Sequence, residues 1–195
     1  MSGTEAYVRR YVEETNAALA DPYLARGIGA IVQVLLEARA NDRTIYFFGN
    51  GGSASTASHF VADIGKATIR GDGRRFRCVA LVDNVETVTA WANDADYAQV
   101  FSQQLRTLAR PGDVAMGISG SGNSPNVLAA MEAARSLGLR TIGLTGMGGG
   151  KLKGLVEIPV VVPSNSMQHI EDVHLLIGHI LTAYLRDEAP APPPR

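Results

Sequence analysis

The sequence predicts an α/β fold, a three-layer sandwich built on a five-stranded parallel sheet and preceded by two helices. Three observations carry that prediction. Short apolar runs alternate with longer amphipathic stretches, as strands buried on both faces alternate with the helices covering them. Loops rich in glycine and hydroxyl groups follow the apolar runs, where strands hand over to helices. Finally, 195 residues with 46% hydrophobic and 19% charged side chains suffice for one core of ordinary domain size.

Taken in order, residues 4–19 and 23–40 place apolar side chains at helical spacing. Val8, Tyr11 and Val12 mark the first helix, and Ile28, Ile31, Val32, Leu35 and Leu36 the second, with Asp21-Pro22 breaking the pattern between them. The runs 44–49, 77–82, 114–118, 140–144 and 157–162 read as strands. Between them 53–68, 85–110, 125–137 and a short turn near 150–155 read as helical, and 167–187 closes the fold. One domain is expected over 1–188, with helices in 1–40 and the α/β core in 41–188. The proline-rich end, 189–195, lacks the N–H groups for a regular ladder and reads as an extended, disordered tail.

A formal net charge of −1 offers no long-range attraction to nucleic acid, and Arg70, Arg74, Arg75 and Arg77 read as a solvated loop. The single cysteine, Cys78, lies in an apolar run, which argues for a buried, inert thiol and against an intrachain disulfide or a cysteine-rich metal site. No run is long and apolar enough to cross a bilayer and no basic-then-apolar leader is present, so a cytoplasmic location without membrane partners is expected.

In a parallel sheet, ligands bind beyond the carboxyl ends of the strands, so the loops there matter most. The third strand runs into Ser119-Gly120-Ser121-Gly122-Asn123-Ser124 and then Pro125. A phosphate needs several donors converging on its oxygens, and small residues entering a helix supply hydroxyls, backbone N–H groups and the positive helix end. Ser119, Ser121 and Ser124 therefore read as phosphate ligands, with Ser124 also expected to cap the helix that Pro125 begins. The first loop, Gly49-Asn50-Gly51-Gly52-Ser53-Ala54, contains a dinucleotide-type glycine pattern. Against that, Asp83 lies 34 residues beyond Gly49 where about 20 is usual. A nucleotide P-loop is excluded because no Gly-Lys-Ser/Thr follows the first strand.

His59 and Asp63 stand four apart on one helix face, as metal ligands do. In the last helix Glu171 and His179 lie within roughly 80° of one another but about 12 Å apart along the axis, too far to share one ion. His174 reads as a helix-packing histidine and Asp172 as a solvated charge. Trp91 and Tyr97 read as packing the core or an interface, with sugar stacking by Trp91 as the alternative.

Together these loops resemble the SIS (sugar isomerase) family, and within it the phosphoheptose isomerase branch. The likeness also takes in Ala92-Asn93-Asp94, Arg110-Pro111-Gly112-Asp113, the segment 142–146, and Val162-Pro163-Ser164. It implies a flavodoxin-like fold, a homotetramer, one zinc per active site, and interconversion of sedoheptulose 7-phosphate and D-glycero-D-manno-heptose 7-phosphate. It further implies that Asn50, Gly51, Gly52 and Ser53 hold sugar hydroxyls, that Asn93 and Asp94 line the pocket, and that Ser119, Gly120, Ser121 and Ser124 bind phosphate. The zinc ligands would be His59, Asp63, Glu171 and His179, and Asp63, Glu171 and His179 would supply the proton-transfer groups. If Glu171 and His179 both serve such sites, neighbouring subunits would contribute them. Three positions depart from the family pattern: Gly120 replaces Thr, Asp63 replaces Glu, and Glu171 replaces Gln. Aldose–ketose exchange moves a proton between C1 and C2 through an enediol, which these ionisable groups could serve. The alternative is a non-catalytic sugar-phosphate-binding protein, regulatory or replication-linked, on the same scaffold.

Overall fold

The computed structural model describes residues 2–192. Helices α1 (Gly3–Leu19) and α2 (Pro22–Ala40) precede strand β1 (Thr44–Gly49). Then come α3 (Gly52–Ala62), β2 (Arg77–Ala80), α4 (Val85–Asp94), α5 (Ser102–Leu108), β3 (Val114–Ser119) and α6 (Pro125–Ser136). The chain closes with β4 (Arg140–Thr145), α7 (Leu152–Leu155), β5 (Ile158–Val161) and α8 (Met167–Asp187). All sheet pairings are parallel and the order is β2-β1-β3-β4-β5.

Alternation along the strands divides the core. Ile45 and Phe47 of β1 pack with α2, α3 and α8 through Leu35, Phe60 and Ile177, while Tyr46 and Phe48 face Phe101, Val127 and Met131 on the other side. Every residue of β1 and β3 is buried, as expected of central strands covered on both faces. No single helix among the described residues is long and apolar enough to cross a membrane.

Three segments differ from the sequence expectation. The stretch 85–110 is not one helix: α4 ends at Asp94, Ala95 leaves helical geometry, and the Asp96 carboxylate accepts the Ala98 N–H at 2.6 Å to start a short 3₁₀ turn, Tyr97–Gln99. Acidic and amide side chains in sequence offer the backbone such local bonds and so interrupt helices. Second, α3 loosens at Asp63 into a π turn, Asp63–Ala67, a distortion common at functional sites. The third difference lies at the start of the expected disordered tail, at Ala189 and Pro190, while 193–195 lie outside the described residues. Ala189 is buried, its carbonyl accepts Arg70 Nη1 at 2.6 Å, and the Pro190 carbonyl accepts Arg39 Nη2 at 3.0 Å. Proline removes donors but leaves carbonyl acceptors, and two guanidinium groups use them. Arg39 is itself buried over the Phe76 ring, 4.9 Å from its centroid.

The arginine-rich loop is likewise less free than expected: Arg74 donates to the Ala40 carbonyl, and Arg77 pairs with Asp42 at 3.1 Å. Nor is Asp172 merely solvated, since it accepts the Tyr11 hydroxyl at 2.6 Å and ties α1 to α8. That bond helps push the Tyr11 phenol up to about 12.

Helix α8 lies against α3 because residue 178 has no side chain. A Cβ on Gly178 would fall 2.0 Å from Phe60 Cε1, and Phe60 is fully buried with no room to retreat. The Gly178→Ala substitution should therefore cost about 1–3 kcal/mol despite alanine's better helix propensity. Urea unfolding would register this as a lower midpoint with an unchanged slope, and an unchanged midpoint would contradict the contact.

Candidate active site

In this strand order β1 and β3 are neighbours although β2 lies between them in sequence, so their outgoing loops flank one crevice at the topological switch point. On one side Gly51 adopts φ +54° at the start of α3, and no side chain caps the helix. On the other side Ser119 and Ser124 hold their hydroxyl oxygens 3.0 Å apart. Ser124 occupies the N-cap position of α6, as expected, but makes no capping bond; its hydroxyl turns to Ser119 instead. The Ser121 hydroxyl accepts the Asn123 N–H at 3.2 Å. Gly122 takes φ +65° and packs where a Cβ would lie 2.2 Å from the Gly149 carbonyl oxygen, so both conformation and space demand glycine.

The loop after β4 buttresses this arrangement. Gly146 N–H donates to the Gly120 carbonyl at 2.9 Å, and Leu152 N–H to the Gly122 carbonyl at 3.0 Å. Gly120 has a structural counterpart for its departure from threonine, because a Cβ there would lie 2.3 Å from Met167 Sδ. The methionine that opens α8 fills the side-chain space of residue 120.

Asn50, expected to touch sugar, is bound to two residues that sequence reasoning did not single out for the site. It exchanges a pair of 2.8 Å hydrogen bonds with Asn126 and accepts the Tyr97 hydroxyl at 3.0 Å. Asn126 was legible in principle, since it shares the inward face of α6 with Ala130 and Ala134. Tyr97 carried no such signal; it is half exposed. Ser53 is buried at the start of α3, its N–H donating to the Asn50 carbonyl at 3.0 Å. Asn93 and Asp94 stand exposed at the end of α4, bonded to each other at 2.8 Å and not to either loop.

The residues expected to ligate a metal divide. His59 Nε2 lies 3.2 Å from Asp63 Oδ2 and 3.1 Å from His179 Nε2, and one ligand atom from each of the three falls within 4.8 Å of the others. Two imidazoles and a carboxylate are a fitting donor set for zinc, whose tetrahedral ligand atoms stand roughly 3.3 Å apart. Glu171 is outside this group: two helical turns before His179, its Oε2 and Oε1 lie 2.7 and 2.8 Å from where a Gly52 Cβ would be. Thus the four-residue ligand set expected from the resemblance contracts to three within one chain. Among the described residues the Glu171 carboxylate has no hydrogen-bond or ion-pair partner.

Beneath the crevice His174 is buried and, as expected, packs the helix onto the sheet. Its Nε2–H donates to the Thr145 carbonyl at 3.3 Å, and its Nδ1 is left without a partner. The Cys78 thiol is pushed up to about 12 by burial, in keeping with an inert residue.

A SIS domain family model matches residues 6–146. A phosphoheptose isomerase of Paramagnetospirillum magneticum is 42% identical over 167 residues, covering 86% of this chain and 84% of its own length. Among solved structures, phosphoheptose isomerase from Neisseria gonorrhoeae superposes with a TM-score of 0.84 at 32% identity, covering 93% of this chain and 96% of its own. The phosphoheptose isomerase from Francisella tularensis gives 0.83 at 27% identity, covering 95% and 98%.

Burial pushes the His174 imidazole down from 6.5 to about 4. Because its folded pKa is depressed, the unfolded chain takes up the proton first. The group's full contribution to stability is present above about pH 6.5 and is lost as pH falls towards about 4, a loss of roughly 3 kcal/mol. Urea unfolding at pH 7 and pH 4.5 should show that share of acid destabilisation in the native sequence and not in His174→Gln. Equal pH dependence in both would exclude the buried imidazole as its source.

Proposed function

The chain belongs to the SIS-domain family, in its phosphoheptose isomerase branch, and on that premise we propose that it interconverts sedoheptulose 7-phosphate and D-glycero-D-manno-heptose 7-phosphate. The observation carrying this reading is the meeting, at one switch-point crevice, of a hydroxyl-lined anion loop, an uncapped helix start and a carboxylate without a partner. The serine hydroxyls of 119, 121 and 124 and the N–H of Gly120 hold the phosphate. Asn50, Gly51, Gly52 and Ser53 face the sugar hydroxyls, with Asn93 and Asp94 closing the pocket.

Glu171 takes the proton from C1 of the ketose and returns it to C2 of the enediol, while the O1 hydroxyl proton is transferred to O2. Carbon and hydrogen balance, and no electron acceptor is needed. Asp63 is the weaker candidate for this role because His59 already engages its carboxylate. His59, Asp63 and His179 would hold a zinc ion; because Glu171 of the same chain stands two helical turns away, that ion would polarise the sugar oxygens at a site completed by Glu171 of a neighbouring subunit. The enzyme acts in the cytoplasm as a homotetramer with active sites shared between subunits. An exposed apolar stripe supports assembly at this face: Val8 and Val12 of α1, and Leu176, Ile180 and Tyr184 of α8, on either side of His179.

Proton exchange from deuterated solvent into sedoheptulose 7-phosphate, followed by NMR with zinc supplied, tests the reading. Native chain should incorporate deuterium and form the aldose; if it does neither, the isomerase reading fails. The Glu171→Gln variant should lose about 10²–10⁴ in rate while still binding the sugar phosphate. Combining it with Asp63→Glu restores the family's pair of residues and should recover activity. Full activity in Glu171→Gln alone would return the proton-carrying role to Asp63.

A further inference from the structure

The hydrogen-bond directions around Asn50 are fixed by a single backbone donor. Val127 N–H donates to Asn126 Oδ1 at 3.0 Å, which identifies the oxygen of that buried amide. Asn50 Nδ2 must then donate to Asn126 Oδ1, and Asn126 Nδ2 to Asn50 Oδ1, both at 2.8 Å. The Tyr97 hydroxyl supplies the second donor to Asn50 Oδ1, at 3.0 Å. An amide oxygen has two acceptor sites and an amide nitrogen two hydrogens. Both acceptor sites of Asn50 are used, and one N–H is left over.

From this we propose that Asn126 and Tyr97 are positioning residues that turn Asn50 into a pure hydrogen-bond donor for the sugar, directed at an oxygen that gains negative charge as the enediolate forms. The proposal rests on the isomerase reading above and assigns parts within it. A freely rotating amide would present its oxygen as readily as its nitrogen, and an oxygen facing an enediolate repels it. Preorganised donors of this kind act because they need not reorient as charge develops. The placement has a second effect. Asn126 belongs to the first turn of α6, directly behind the serine loop, and Asn50 to the loop after β1, so the amide pair also sets the spacing between the phosphate end and the reacting end of the crevice.

A double-mutant cycle through Asn50 distinguishes positioning from general structural support. Asn126→Asp keeps the acceptor for Val127 but cannot donate to Asn50 Oδ1, and Tyr97→Phe removes only the half-exposed hydroxyl and so cannot plausibly unfold the chain. Each should lower kcat roughly 10- to 100-fold with the inhibition constant for inorganic phosphate unchanged. Asn50→Ala should cost about 10²–10³. In that background neither second substitution should lower kcat further. Losses that multiply overturn the proposal, as do two single variants with native kcat. Failure of the isomerase reading shows itself separately, as a native chain that binds sedoheptulose 7-phosphate without converting it. The same cycle is then scored on calorimetric affinity, where additive losses, or no binding by the native chain, overturn the proposal.

Discussion

The pairing of β1 with β3 is the constraint from which the site follows. Five residue pairs, from Ile45 with Val114 to Gly49 with Ile118, bring together two strands separated in sequence by a strand and three α-helices. Their parallel direction sends both outgoing loops to the same edge of the sheet, and the reversal of strand order leaves a gap between them that no connection crosses. Within that gap the Asn50–Asn126 pair joins the loops, and the loop after β4 supports the serine segment through backbone bonds to Gly120 and Gly122. Rigid central strands thus locate loops that would otherwise be free to wander.

Helix α8 adds the chemistry. It runs beside α3 so that Glu171 meets Gly52 and His179 meets His59, two correspondences two turns apart. Small residues at both meeting points, Gly52 and Gly178, let the helices approach closely enough for polar side chains of one to reach the other. The same approach separates two polar groups along the helix pair. Imidazoles and Asp63 gather at one level, while an unpartnered carboxylate stands at the other, over the loops. A buried neutral His174 between those levels anchors the helix to the β4 carbonyl without adding charge to the core.

The departures from the family pattern become coherent in three dimensions. Loss of a side chain at Gly120 is matched by Met167, whose sulfur takes up the room, so packing is kept while a hydroxyl donor is exchanged for an apolar wall. The shorter Asp63 still reaches His59, and the second change, Glu171, adds a carboxylate beside the glycine turn at Gly52. In sequence these substitutions look independent. In space Gly120 and Asp63 each have a neighbour that matches the change.

Strand periodicity, the serine-glycine loop and the His59–Asp63 spacing were legible in the sequence because each depends on residues close together along the chain, where helix and strand geometry fixes relative placement. The same local reasoning set Glu171 and His179 about two turns apart along one helix. It overran the break at Ala95, where a single side-chain bond from Asp96 outweighed helical propensity, and it took prolines to mean disorder where two arginines hold the backbone carbonyls of Ala189 and Pro190. Only the tertiary structure decided that His179 joins His59, that Glu171 does not, and that Asn126 and Tyr97 close on Asn50. Those contacts span from 47 to 120 residues of sequence, and such long-range meetings are set by how whole helices pack on the sheet, a property no short stretch of sequence contains.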